Sequence, residues 1–357
     1  MLDRTSLRKP KVDSGPIAVS ALVLLLFAAA WLRGAATSGA FLPSAVPTRS
    51  DDRAAERNAT CVGCHPKEAL EWQGSRHRHA FSNEEFSRAL SIEPLTFCRD
   101  CHAPESASFR SDEHDSIGVA CVTCHLAGEA VLAAPKAFLA SGIAPHRLER
   151  SAAFSASGAC RSCHEFSFGD DARRSAPLLM QSTVSEHAES GDERSCADCH
   201  MPSGSHAFAS TRDPEAHRAA IRTRVERSGP TAIRVTLETN DVGHAYPTGD
   251  LFRRVRVSAE AVVDGARLVA LEEAFLQRSF DDGLDARHTI IREQVADTRI
   301  HPKTARIVDL DLGPVAIGAR IDWRVDFERV LHVRDGHERQ ATVADSVELA
   351  AGVLPAP

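Results

Sequence analysis

Cys61-Val62-Gly63-Cys64-His65 sets a pattern that returns four times, at Cys98-Arg99-Asp100-Cys101-His102, Cys121-Val122-Thr123-Cys124-His125, Cys160-Arg161-Ser162-Cys163-His164 and Cys196-Ala197-Asp198-Cys199-His200. These stretches use all ten cysteines of the 357-residue chain. Random placement at this chain's Cys and His frequencies gives on the order of 0.01 such matches. C-x-x-C-H is the attachment sequence for a c-type haem. Its thiols form thioethers with the porphyrin vinyl groups, and the adjacent histidine becomes the proximal iron ligand. A two-residue gap lets one short helical turn present both sulfurs to the same ring edge. Zinc is the rival chemistry, but an odd number of pairs, each followed at once by histidine, does not assemble into four-cysteine sites. The reading is five covalent haem c groups, attached through these ten cysteines, with His65, His102, His125, His164 and His200 as proximal ligands.

Motif starts lie 37, 23, 39 and 36 residues apart. So little polypeptide per cofactor cannot insulate one ring from the next, so a chain of close haems is expected across residues 58–218. Large flat cofactors also account for an aromatic content of only 5%, with Tyr246 the single tyrosine. Seven histidines of this region stand outside the motifs: His77, His79, His114, His146, His187, His206 and His217. His77 ends Trp72-Gln73-Gly74-Ser75-Arg76-His77, after a helix expected to begin at Pro66. His114 precedes Cys121 by seven residues, and His206 follows Met201-Pro202. Each is placed where a short chain can fold back over a neighbouring ring.

The chain resembles the multihaem cytochrome superfamily that includes pentahaem nitrite reductase, hydroxylamine oxidoreductase and the tetrahaem carrier of ammonia oxidisers. The resemblance rests on the motifs, the W-x-x-S-x-H segment, the histidine ahead of Cys121, and the run from Cys196 to Pro202 with His206 after it. It covers under half of the chain. It implies His77, His114, His146 and His206 as distal iron ligands, with His187 as the fifth and His79, His217 and His244 in reserve. The chain also departs from the catalytic members. No C-x-x-C-K occurs, and Tyr246 lies outside the haem region.

From about Ala219 cysteine disappears and β-branched alternation takes over, as in Ile233-Arg234-Val235-Thr236-Leu237, Val255-Arg256-Val257 and Ile321-Asp322-Trp323-Arg324-Val325-Asp326-Phe327. Asp264-Gly265 reads as a hairpin turn. Residues 219–357 are expected to form an immunoglobulin-like β-sandwich. The fold class is therefore α plus all-β in two domains, short helices and loops around haems followed by the sandwich. The loop Gly243-His244-Ala245-Tyr246-Pro247-Thr248-Gly249-Asp250 has two readings: a corner that docks the strands on the last haem, or a source of an iron or substrate contact through His244.

At the other end, Arg4, Arg8, Lys9 and Lys11 precede an uncharged apolar run over residues 17–32. Residues 1–33 read as a signal peptide or an uncleaved membrane anchor, and 34–57 as a linker. Both place the remainder on the periplasmic side of the inner membrane. A net charge of −7 gives no sign of nucleic-acid binding. No G-x-S-x-G elbow, P-loop or dinucleotide fingerprint is present. The expected function is electron transfer between other redox proteins, or from a membrane quinol-oxidising complex, with no catalytic residue assigned. The alternative is a haem oxidoreductase acting on a small nitrogen or sulfur compound at one open-coordinate iron.

Overall fold

Each motif occupies about one turn of helix. In the computed structural model, which describes residues 52–357 apart from 93, 95–97, 107–110, 136–144, 168–177, 209–212, 264–266, 285–289 and 332–337, helix α1 (Ala54–Cys64) ends in the first motif. It is followed by α2 (Pro66–Gln73), α3 (Glu84–Ile92), α4 (Cys98–His102), α5 (Asp112–Ile117) and α6 (Cys121–His125). The series continues with α7 (Gly158–His164), α8 (Thr183–Ser190), α9 (Cys196–His200) and α10 (Pro214–Ala220). Pro66 stands at the first position of α2, where its missing N–H would have no partner in the helix. The expected leader or anchor over 1–33, with its apolar run 17–32, lies outside the described residues, as does the Asp264-Gly265 turn. Among the described residues no helix is long and apolar enough to cross a membrane.

Helices this short are not stable alone. Specific contacts tie them together. Asn58 Oδ1 on α1 accepts from the Cys121 backbone N–H at 2.9 Å, joining the first motif to the third. The hydroxyl of Thr123, inside the third motif, donates to Glu105 Oε1 at 2.8 Å. Trp72 Nε1 donates to the Val119 carbonyl at 2.8 Å, and Trp72 packs with Ala54, Ala120 and Val122 in a small apolar cluster. Gly118 makes that crossing possible. Its φ is +60°, and a Cβ there would come within 2.5 Å of the Arg78 carbonyl oxygen and 2.6 Å of that of His77. Only glycine allows two backbones this close. Two small sheets complete the half: β1 (Leu126–Ala127), β2 (Ala130–Ala133) and β3 (Arg147–Arg150), then β4 (Glu165–Ser167) with β5 (Leu179–Ser182).

From Ile221 the chain is strand-rich, with β6 (Ile221–Arg227), β7 (Ala232–Thr239), β8 (Arg253–Val263), β9 (Arg267–Leu276), β10 (Arg278–Leu284) and β11 (Ile290–Asp297). The last strands are β12 (Arg306–Asp311), β13 (Arg320–Val330) and β14 (Val343–Leu354). Two antiparallel sheets result, ordered β6-β7-β12 and β9-β8-β13-β14, and the pair β10-β11 stands as a separate hairpin. The alternating apolar residues of both sheets meet in one core: Ile233, Val235 and Leu237 of β7, Val255 and Val257 of β8, and Ile321, Val325 and Phe327 of β13. Each fully buried side chain of this kind contributes about 1.5–3 kcal/mol.

The helical and strand-rich halves belong to one compact unit. His217 on α10 stacks on Phe327 at 4.2 Å, and its Nδ1 lies 2.6 Å from the Tyr246 hydroxyl. Arg299, between β11 and β12, reaches Glu186 on α8 at 2.8 Å, with both side chains buried. From the β10 strand, Arg278 donates to the Leu179 and Met180 carbonyls of β5.

Candidate haem centres

Two of the motif histidines have one ring nitrogen committed to a backbone carbonyl. His102 Nδ1 donates to the Ala80 carbonyl and His125 Nδ1 to that of Leu132, each at 2.8 Å. A carbonyl on Nδ1 fixes the tautomer and leaves Nε2 as the coordinating nitrogen. Rotation is restrained by packing: Phe86 stacks on His102 at 3.7 Å and Phe154 on His125 at 5.0 Å. Burial holds both imidazoles below their ordinary pKa and takes His164 down to about 4.

Opposite three motif histidines stands a second imidazole. Ring centroids are 6.2 Å apart for His164 and His77, 6.1 Å for His125 and His206, and 6.2 Å for His200 and His244. A metal–imidazole bond of about 2.0–2.1 Å, plus roughly 1.1 Å from ring nitrogen to centroid, places two trans imidazoles about 6.3 Å apart. The three pairs have the spacing that an iron held from both sides requires. Their planes differ: 72° for His164/His77, 39° for His125/His206 and 11° for His200/His244. The histidines meet in twos. Among the described residues no three of His, Cys, Asp and Glu converge as a bare-metal cage would need.

The pairs are set by contacts distant in sequence. Val119 N–H donates to the His77 carbonyl at 2.9 Å, so the Gly118 crossing fixes the His77 backbone. Burial, then the neighbouring His200, lowers the His77 imidazole to about 4. The His206 backbone N–H donates to Glu71 Oε2 at 2.7 Å, which ties that histidine to α2 and holds the Glu71 carboxyl below its ordinary pKa. Phe208 stands edge-on to both, 4.2 Å from His77 and 6.2 Å from His206.

The other predicted ligands fall as follows. His114 on α5 is buried, with Nδ1 2.6 Å from the Ser111 hydroxyl and a buried Nε2 that has no hydrogen-bond partner. A buried ring nitrogen left without a partner is unusual, because burying it costs free energy that a bond would recover. His146 likewise carries a buried, unpartnered ring nitrogen. His187, chosen as the fifth ligand, lies on α8 beside Gly243, where a Cβ would meet its Cδ2 at 3.1 Å. It is the next loop residue, His244, that faces His200. Of the reserves, His79 has its Nε2 on the Gln73 carbonyl at 3.0 Å, and His217 serves the β core. Sequence reasoning singled out the His244 loop by its glycines and proline but could not choose between its two roles. The packing aromatics Phe86, Phe154 and Phe208 gave no signal.

The cysteines cluster across motifs. Cys121 N–H is held by Asn58 on α1, the helix of Cys61, and the Cys196 thiol donates to the Ser157 hydroxyl at 3.4 Å, just ahead of α7 and its Cys160. The attachment points of motifs one and three, and of motifs four and five, are therefore neighbours in space.

Residues 60–126 match the family model described as cytochrome c554 and c-prime. That stretch holds the first three motifs with His77 and His114. Among solved structures, the chain is similar to the crystal structure of a penta-haem cytochrome c552 from Thermochromatium tepidum, with a TM-score of 0.60 and 16% identity over 83% of this chain and 98% of that one. The likeness is one of fold, and at that coverage it runs through both halves. No curated protein matches the chain. The family match supports haem c attachment within residues 60–126, and the solved structure supports the fold.

Proposed function

We propose that this chain is a periplasmic electron-transfer protein carrying five haem c groups, mostly ligated by two histidines each. The observation that carries this reading is the facing of His77 on His164 and of His206 on His125 at the separation of two axial ligands. Haem supplies one-electron redox chemistry when bound. The chain's part is to attach the rings through the motif cysteines, to hold an imidazole on each side of an iron, and to keep attachment points close. Two histidines favour lower potentials than a histidine and a methionine. The strand-rich half supports an immunoglobulin-like sandwich, since three strands in the order β6-β7-β12 pack on four in the order β9-β8-β13-β14. It would serve as the docking face for redox partners or for a membrane quinol-oxidising complex, with residues 17–32 as a tether.

The test is the full chain matured with its haems. A pyridine haemochrome assay should count one haem per motif. Electron paramagnetic resonance should show predominantly low-spin iron, and a potentiometric titration should show reversible reduction in several steps. Steady turnover of nitrite or hydroxylamine, with that substrate bound at a high-spin iron, would replace this reading with the oxidoreductase one.

A further inference from the structure

We infer that His244, supplied by the strand-rich half, is the distal iron ligand of the fifth haem, opposite His200. The inference rests on the reading of the chain as a multihaem cytochrome and adds to it a ligand from outside the haem-bearing segment. The two rings lie 6.2 Å apart with planes within 11° of parallel. His244 Nδ1 donates to the Ala245 carbonyl at 3.0 Å, which leaves Nε2 as the coordinating atom.

The loop around His244 is built to hold that ring still. Tyr246 pairs with Ile300 through two backbone hydrogen bonds of 2.8 and 2.9 Å. The Thr248 hydroxyl donates to Glu186 Oε2 at 2.6 Å and lies 2.9 Å from the Thr183 hydroxyl. Arg299 reaches both the Pro247 carbonyl, at 3.2 Å, and Glu186. On the other side Arg194, two residues before Cys196, bridges Asp192 and Asp241 at 2.6 and 2.8 Å. Gly243 lets the loop pass: a Cβ there would meet Asp192 Oδ2 at 3.0 Å. The loop is thus fastened to α8 and to the approach to the last motif, and its histidine faces that motif's own. The two roles the sequence left open, docking corner and iron ligand, belong to one loop.

The experiment is His244→Ala in the full, haem-loaded chain, read by electron paramagnetic resonance and by carbon monoxide binding to the reduced protein. Near-parallel imidazoles give a rhombic low-spin signal, whereas crossed ones, as in His164/His77, give a single large-g feature. The expected result is loss of a rhombic component, appearance of one haem equivalent of high-spin iron, gain of one carbon monoxide site, and reversal by added imidazole. The crossed signal should stay. His244→Met keeps a ligand in place, should raise the potential of one haem, and serves if the alanine variant does not accumulate. An unchanged low-spin spectrum in His244→Ala would overturn the inference, as would His187→Ala opening the site in its place. Failure of the wider reading looks different, because the wild-type protein would then lack paired low-spin haems altogether.

Discussion

The two halves of the molecule solve the problem of a core in opposite ways. In the strand-rich half the polypeptide supplies its own: 21 buried apolar residues among those described form one cluster across both sheets. In the helical half the main buried apolar cluster is Ala54, Trp72, Ala120 and Val122. Two small sheets, stacked aromatics and single hydrogen bonds such as Asn58 to Cys121 and Thr123 to Glu105 supply further order. One half is folded by burial of side chains, and on the proposed function the other is arranged around groups that the chain binds covalently. The comparison teaches that stability and cofactor content should be separable in the first half and inseparable in the second.

The largest expected effect tests that separation. Cys121→Ser with Cys124→Ser removes attachment at the motif whose first cysteine neighbours Cys61. Hydrogen exchange should show the helices from Ala54 to His200 losing protection, while the amides of Val235, Val257 and Val325 stay slow. Helices that remain protected in this variant would mean that the short cluster suffices, and the contrast would collapse. Next in size is the join between the halves. Glu186→Ala leaves the buried Arg299 guanidinium with Asp297 as its remaining carboxylate, so the cost should fall below the about 3–5 kcal/mol of a buried charge left without any partner. Denaturant unfolding should detect it, and Glu186→Gln, which keeps a hydrogen-bonding oxygen beside Arg299, should lose less. An effect below about 1 kcal/mol, the range of exposed pairs, would show the join to be loose.

The smallest effect lies within the strand-rich half. Burial pushes the Asp326 carboxyl up to about 6, with Arg256 3.5 Å away opposing the shift. Its pKa is raised on folding, so the folded state binds the extra proton. The stabilisation is full below the unfolded pKa of about 3.9 and is lost as pH rises through 6. Asp326→Asn should therefore flatten stability between pH 4 and 6 and leave the protein more stable at pH 7, by about 1 kcal/mol or less after solvent screening. Thermal unfolding across that range checks the sign. A variant less stable at pH 7 would assign Asp326 a net favourable pairing with Arg256.

What was legible in the sequence was what is local. A haem attachment motif is five consecutive residues, and a half-buried strand declares itself by alternation, so the motif turns and runs such as Ile233–Leu237 stood out. The facing histidines are a different kind of fact. His77 meets a residue 87 positions later and His206 one 81 positions earlier. Nothing near either residue encodes its partner, because the pairing is made by backbone crossings and by the Glu71 and Val119 contacts. The choice between His187 and His244 was of this type. Both lie beside the last motif, and only the course of the loop through Gly243 decides which ring faces His200.

Gly118 carries a consequence for inheritance. It binds nothing and holds no charge, yet the backbones on either side of it carry His77, His114 and the third motif. A side chain there would separate segments that carry several of the proposed ligands at once. Replacements at many surface positions should pass unnoticed across related chains, while this silent position should admit almost none. The residue least free to vary besides the ligands themselves would then be one with no chemistry of its own.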